Sequence, residues 1–336
     1  MKAFVVEKYA HPSKIPLTQD APEPIPGPND VVVEIYSAGL NFFDILQAQG
    51  KYQNQPPFPF ILGSEFAGII SATSPIPSGC PFKPGDRVFG AGQGAYAERV
   101  ATHWQQLHPV PKGMSFDEAA GLFVTWPTSY EALVGRAELK PGEWVLVHAG
   151  AGGVGLAAVQ LAKALGAKVI ATAGSPAKLE VCKRHGGADF VVDYKKEGWQ
   201  KEVLKITGGK GVDVVYDPVG MIKDSLKCIA WKGRALVIGF AGGQIEKLPL
   251  NLVLLKNISV VGLHWGAYSK FDTTRIPEVW NALFELFEKQ RAKSVVYDQS
   301  FKGLESIAAG LKALESRETW GKAIIHIRDD ETKAKL

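Results

Sequence analysis

Gly142-Glu143-Trp144-Val145-Leu146-Val147-His148-Ala149-Gly150-Ala151-Gly152-Gly153-Val154-Gly155-Leu156-Ala157-Ala158-Val159-Gln160-Leu161-Ala162-Lys163 contains an apolar run, a glycine-rich turn and a helix-like segment in direct succession. The run Trp144 to Val147 is short, apolar and β-branched, as a buried strand requires. Leu156 to Leu165 has helical composition and stops at Gly166. Between them, residues 150–155 spell G-x-G-x-x-G. That pattern is weak alone and specific when a strand precedes it and a helix follows. Its glycines let the backbone turn tightly and approach a pyrophosphate. The helix N-terminus then presents unpaired N–H groups and the positive end of its dipole to that anion.

The same grammar continues downstream. Apolar segments at Ala167 to Ala171, Phe190 to Val192, Val212 to Tyr216, Ala235 to Ile238 and Ile258 to Val261 alternate with helix-like stretches. With Trp144 to Val147 they make six strands, the content of one doubly wound parallel sheet covered on both faces. Upstream the chain is β-rich and punctuated by proline and glycine, for example Pro22 to Pro28 before Val31 to Tyr36, and Lys83-Pro84-Gly85-Asp86 before Arg87-Val88-Phe89. This predicts a small barrel or sandwich. After residue 265 the alternation stops. Helices near Ile276 to Lys289 and Leu304 to Leu314, and a strand at Ala323 to Ile327, are too few for a third domain. The expected organisation is a β-rich domain of residues 1–125 with 266–336, and an inserted nucleotide-binding domain of residues 126–265.

The 336 residues carry a net charge of +4, with 46% hydrophobic and 21% charged residues. This composition fits a chain with a large core and excludes disorder and collagen-like or disulfide-stapled folds. Cys80, Cys182 and Cys228 lie far apart and give no disulfide framework, which points to a reducing compartment. No apolar run approaches the ~18 residues of a membrane span. Met1 to Val6 leads straight into Glu7 and Lys8, with no signal peptide visible. The expected location is cytoplasmic. The alternative is peroxisomal, through the terminal Ala334-Lys335-Leu336, close to the Ser-Lys-Leu address.

The second strand of the sheet selects the cofactor. An acid about 20 residues beyond the glycines would bind a ribose 2′-hydroxyl and repel a 2′-phosphate. Here Lys168 to Thr172 runs into Ala173-Gly174-Ser175-Pro176-Ala177-Lys178, with no acid before Glu180. Ser175 and Lys178 offer a hydrogen bond and a charge to a phosphate. The expected cofactor is NADPH.

With these motifs placed, the chain resembles the zinc-free quinone oxidoreductase (zeta-crystallin-like) branch of the medium-chain dehydrogenase/reductase superfamily over essentially its whole length. The resemblance rests on residues 142–163, with Gly39-Leu40-Asn41-Phe42-Phe43-Asp44, Gly63-Ser64-Glu65-Phe66-Ala67-Gly68, Gly85-Asp86-Arg87-Val88 and Gly94-Ala95-Tyr96-Ala97-Glu98 in support. It implies an α/β fold with a GroES-like β-rich catalytic domain and an inserted six-stranded parallel Rossmann domain. Where zinc alcohol dehydrogenases place a cysteine ligand, this chain has Asn41 or its neighbours. Where they have Gly-His-Glu, it has Gly63-Ser64-Glu65, and the lobe of four cysteines has no counterpart. His103 and His108 lack a third ligand nearby in sequence, so no metal is expected.

Without a Lewis acid the expected hydride acceptors are already electron-poor. Such a reaction needs positioning, exclusion of water and a donor for the oxygen that gains charge. Asn41, Tyr52 and Thr128 are the candidate catalytic residues, and the resemblance puts Tyr52 and Thr128 near the nicotinamide. Asp44 reads equally well as a structural partner and as a catalytic group. A tyrosine that some relatives carry two residues later is replaced by Leu46. The resemblance further implies cofactor contacts at Tyr52, Gly152, Gly153, Val154, Gly155, Gly174, Ser175, Lys178, Tyr194, Gly239, Phe240, Ala241, Leu263, His264 and Trp265. His148, at the end of a buried strand, reads as structural.

The expected function is NADPH-dependent reduction of quinones. The alternatives are an alkenal or enone reductase on the same scaffold, and an NADPH-binding crystallin-like or RNA-binding protein. Against nucleic acid stand the small net charge and the lack of a basic run interleaved with aromatics. The resemblance also implies a homodimer that pairs the edge strand around Asn257 to Val261 across a two-fold axis.

Overall fold

The structure, a computed structural model, describes residues 1–329. Ala334-Lys335-Leu336, with its peroxisomal reading, lies outside them. The described residues form two compact units, one of residues 1–124 with 296–329, the other Thr125–Val295.

The second unit is built on a parallel sheet of six strands. In spatial order they are Phe190–Asp193, Lys168–Ala173, Trp144–Val147, Val212–Asp217, Ile229–Val237 and Ser259–Gly262. Chain order reverses beside Trp144–Val147, so the glycine turn that follows this strand lies at the topological switch point. Leu146 pairs with Ile170 on one side and Val215 on the other. All three are fully buried, which is why these strands read as continuous apolar runs. The fifth strand begins earlier than expected, at Ile229. Between Val212 and Val214 its pairing shifts register, and Trp231 and Lys232 are thrown out to solvent. A bulge with exposed residues interrupts the apolar run, so the pattern registers only from Ala235 onward.

The unit boundary also departs from the expected residue 265. Helix Arg275–Glu288 buries Val279, Trp280, Leu283 and Phe287. It packs on helix Thr125–Glu131, with the Phe287 ring edge-on to Trp126 at 4.8 Å. Arg275 pairs with the buried Glu131 at 3.0 Å. Residues 266–295 therefore belong with the second unit: the alternation ends at 265, but the helix that follows still covers that unit's helices.

The first unit centres on the long strand Asp30–Gly39. It pairs antiparallel with Arg99–His103, with Glu65–Ile70 and, at its far end, with Ile324–His326. The last pairing sets Ile324 opposite Gly39 and brings the C-terminal segment to the start of helix Phe42–Ala48. Gly68 faces the backbone of the central strand, and a Cβ there would lie 1.9 Å from the Glu34 carbonyl oxygen. Gly68→Ala should therefore destabilise the protein by about 1–3 kcal/mol or more through overpacking. A urea titration checks this, and an unchanged midpoint would show that the strands do not approach so closely.

Candidate functional site

In the second unit the cofactor candidates gather at the carboxyl ends of the strands, where an open α/β sheet binds its ligand. Gly152 caps helix Gly153–Ala164 without a side chain, and its carbonyl accepts from Leu156 N–H at 2.8 Å. The glycines have different tasks. A Cβ on Gly155 would meet the Ala149 carbonyl oxygen at 2.2 Å, so that position sets how closely helix and strand approach. A Cβ on Gly152 would meet only the same oxygen, at 3.4 Å. Ala149 holds φ +47° to enter the turn, a region uncommon for alanine. Behind the turn, the Ser129 hydroxyl lies 2.9 Å from the Val154 carbonyl oxygen and 2.9 Å from the Tyr216 hydroxyl. Thr128, half-buried on the same helix, is held beside the glycine turn by this contact.

The ends of the second and third strands converge. A Cβ on Gly174 would lie 2.7 Å from the Tyr194 hydroxyl and 2.9 Å from Lys195 Cε. Ser175 caps the next helix, accepting from Lys178 N–H at 3.4 Å, with Pro176 at the first helical position. Lys195 is a cation near this glycine that no sequence motif singles out. Its only signal was adjacency to Tyr194. Glu180 is directed away into an ion pair with Arg184 at 2.5 Å. Ala241 N–H donates to the Pro218 carbonyl at 3.0 Å, and Leu263 N–H to that of Val237 at 3.1 Å. These bonds fix the turns that carry Gly239, Phe240, Ala241, His264 and Trp265. His264 is exposed, and the half-buried Trp265 packs on Tyr268 at 4.8 Å. His148 is structural: fully buried, it contacts the Thr172 and Ser225 hydroxyls at 2.9 and 2.7 Å. Burial lowers its pKa to about 4, so the ring is neutral at physiological pH.

The first unit holds a buried polar cluster. Asn41 ends the central strand's exit and precedes helix Phe42–Ala48, and its amide is held at both ends. Nδ2 donates to Glu65 Oε1 at 2.9 Å, while Oδ1 accepts from Lys322 Nζ at 2.7 Å. Lys322 also pairs with Glu65 Oε1 at 2.5 Å, and Glu65 Oε2 accepts from Val124 N–H at 2.9 Å. Two glycines make room for this pair. A Cβ on Gly39 would fall 2.7 Å from Glu65 Oε1, and one on Gly121 would fall 2.7 Å from Lys322 Cγ. The cluster fixes which way the Asn41 amide points. One N–H of Nδ2 faces Glu65, and the other is available as a donor of set orientation.

Asp44 lies one helical turn on. Its Oδ2 accepts from Asn41 N–H at 2.9 Å and from the Tyr96 hydroxyl at 2.5 Å. The Ser64 hydroxyl faces Oδ1 at 3.4 Å. Burial raises the Asp44 pKa from 3.8 to about 7, offset in part by Tyr96, Asn41 and Lys322. The Tyr52 ring stacks on Phe43 at 5.2 Å, and burial together with the Asp44 charge pushes its pKa up. Asn41 and Tyr52 thus share one neighbourhood in the first unit, and Thr128 stands beside the glycine turn of the second. Glu65 was noted in sequence only as part of a motif. Lys322 was missed: some 280 residues from Asn41, it becomes visible only when the C-terminal strand pairs with Asp30–Gly39.

Removing one member of a buried ion pair leaves the other charge uncompensated, at a cost of about 3–5 kcal/mol. Lys322→Met should lose stability on that scale, and the double variant Lys322→Met/Glu65→Gln should recover most of it. Denaturant midpoints measure both. Equal loss in the two variants would show that the pair does not act as one.

Among the described residues, no three or more His, Cys, Asp or Glu side chains converge so as to hold a metal ion. No helix there is long and apolar enough to cross a membrane. Comparison with known proteins places the chain. Residues 27–112 match the alcohol dehydrogenase GroES-like domain and residues 153–287 the zinc-binding dehydrogenase family. The zinc in that family's description does not fit the donors found here, where an amide, two hydroxyls and an ammonium surround Glu65 and Asp44. Quinone oxidoreductase-like protein 2 of Mus musculus is 38% identical, covering 94% of this chain and 90% of its own. Its homolog from Nematostella vectensis is also 38% identical, covering 90% and 83%. The solved structure of Escherichia coli quinone oxidoreductase complexed with NADPH superposes with a TM-score of 0.86 at 33% identity, over 97% of this chain and 100% of that one. The chain therefore belongs to the quinone oxidoreductase, zeta-crystallin-like branch of the medium-chain dehydrogenase/reductase superfamily.

Proposed function

We propose that the protein is an NADPH-dependent, zinc-independent reductase of quinones that moves a hydride directly from nicotinamide to the acceptor. The observation that carries this reading is the buried Asn41–Glu65–Lys322 cluster. Its ammonium opposes entry of a divalent cation, and its fixed amide presents an N–H to an oxygen that gains charge as hydride arrives. NADPH, when bound, supplies that hydride. The residues at the carboxyl edge suit it. Helix Gly153–Ala164 offers its first N–H groups to the pyrophosphate. Gly174, Ser175, Lys178 and Tyr194 suit the adenosine 2′-phosphate, with charge and hydroxyls where an acid would repel it. Thr128, beside the glycine turn, would lie next to the nicotinamide, and the family resemblance implies the same role for Tyr52.

The test is NADPH oxidation with 1,4-benzoquinone and trans-2-hexenal as parallel acceptors, with NADH as the comparison donor. Quinone turnover to the hydroquinone, with NADPH preferred over NADH, is expected. Asn41→Ala should lower kcat by about 10²-fold, the scale of losing one oxyanion donor. Turnover of the alkenal alone would reassign the enzyme to enone reduction. Turnover of neither would overturn the catalytic reading.

We further propose a homodimer through the edge strand Ser259–Gly262. Among the described residues this strand pairs on one side only, with Ile229–Val237, and Val260 on it is exposed. On the adjoining helix Leu250–Lys256 no residue is buried, and Leu250, Leu254 and Leu255 all face solvent. A second copy would complete the strand's hydrogen bonds and cover these leucines. Light scattering on the eluting protein at micromolar concentration should give twice the chain mass, and Val260→Pro should give the single mass. A monomeric parent protein would contradict the assignment.

A further inference from the structure

Reducing a quinone or an enone by hydride leaves an anion that must take up one proton. The overall change is acceptor plus NADPH plus H⁺ to reduced acceptor plus NADP⁺. Resting on the reading above, we propose that Asp44 stores that proton and delivers it through the hydroxyl of Ser64.

The charge count of the cluster is the first argument. It contains two buried carboxylates, Asp44 and Glu65, and one buried ammonium, Lys322. Lys322 gives its short contacts to Glu65 and Asn41, at 2.5 and 2.7 Å. Asp44 is left to neutral donors, the Tyr96 hydroxyl and the Asn41 N–H on Oδ2 and, at 3.4 Å, the Ser64 hydroxyl on Oδ1. Two carboxylates against one ammonium in a dry interior favour one carboxyl group holding a proton. Asp44, without its own cation, is that group. The groups facing it from the surrounding elements agree. Glu65 from the neighbouring strand and burial raise its pKa, Lys322 from the C-terminal segment lowers it, and the balance puts it at about 7. Tyr96 keeps its own proton, because burial, and the Asp44 charge once Asp44 has ionised, push its pKa well up. Tyr52 is pushed up likewise.

Geometry then gives the direction of transfer. Asp44 Oδ2 takes two short donors, whereas among the described residues the only contact of Oδ1 is the Ser64 hydroxyl at 3.4 Å, which can turn to accept; Oδ1 is therefore the oxygen with room for the proton. Asp44 and Tyr96 are fully buried, whereas Ser64 is half-buried and is the one of the three with exposed surface. The 3.4 Å separation is long for a hydroxyl–carboxyl hydrogen bond, so the transfer requires Ser64 Oγ to move a few tenths of an ångström toward Oδ1. In the transfer the Asp44 O–H bond breaks and Ser64 Oγ accepts that proton. At the same time Ser64 gives its own hydroxyl proton to the anion. Asp44 is left as a carboxylate and is recharged from water by the same path. Asp44 thus acts through Ser64 and does not touch the acceptor.

The experiment combines spectroscopy of the whole protein with kinetics. Infrared difference spectra between acid and alkaline pH, taken without cofactor, should show a protonated-carboxyl band that titrates near neutrality and disappears in Asp44→Asn. Asn keeps an acceptor for Tyr96 and Asn41 and a donor toward Ser64, so this variant preserves the packing. Ser64→Ala should keep the band. With NADPH and benzoquinone, both variants should lose about 10²-fold in kcat, the scale of a general acid, with KM little changed. The parent kcat should fall as pH rises through about 7, as Asp44 loses its proton, and both variants should lose that pH dependence. A band absent from the parent, or one that survives Asp44→Asn, overturns the stored proton. An unchanged pH profile in either variant of an active enzyme overturns the relay alone. A parent protein that reduces neither quinone nor enone would instead mark failure of the functional reading, and the relay would fall with it.

Discussion

The buried ion pair between Lys322 and Glu65 is the constraint on which the first unit's polar interior depends. Bringing two charges out of water costs several kcal/mol per ion, and the pair persists because each partner is also hydrogen-bonded. Glu65 accepts from Asn41 and from the backbone of Val124, and Lys322 donates to Asn41. Much of the local architecture follows. The chain must return at its C-terminal end to set Lys322 beside Asn41. Gly39 and Gly121 must lack side chains so that the pair fits. Asn41, clamped between carboxylate and ammonium, has one amide orientation. Asp44 is then the carboxyl group without a cation of its own, and its proton affinity is set by what the pair leaves over.

The second unit depends on a simpler constraint, the close passage of helix Gly153–Ala164 over Trp144–Val147. Gly155 permits it, and Ser129 with Tyr216 holds the turn from behind. The same geometry aligns the carboxyl ends of the strands, so that turns far apart in sequence share one edge.

Most of this second unit was legible in the sequence. Six apolar runs, a glycine turn between strand and helix, and Ser175-Pro176 before a helix carry local signals that do not depend on distant partners. The parallel sheet and the positions of Gly152 to Gly155, Gly174 and Tyr194 at its edge follow from them. Legibility failed where local pattern and packing part company. The bulge at Trp231 and Lys232 hid the start of the fifth strand. Helix Arg275–Glu288 lies beyond the last strand in sequence, yet packs its apolar face onto Thr125–Glu131. The polar cluster was half visible, since Asn41, Ser64 and Glu65 sit in recognisable motifs. Lys322 carries no local mark, as a single lysine before an apolar strand looks like any solvated residue until β pairing buries it.

On the proposed reading, the amide clamped by the lysine–glutamate pair polarises the acceptor without a metal. The direct test is the metal content of the purified protein, measured by mass spectrometry alongside its NADPH-dependent quinone turnover before and after exhaustive chelation. The account predicts far less than one zinc per chain and turnover unaffected by the chelator. One equivalent of zinc per chain, with turnover lost on its removal and restored on its return, would contradict it.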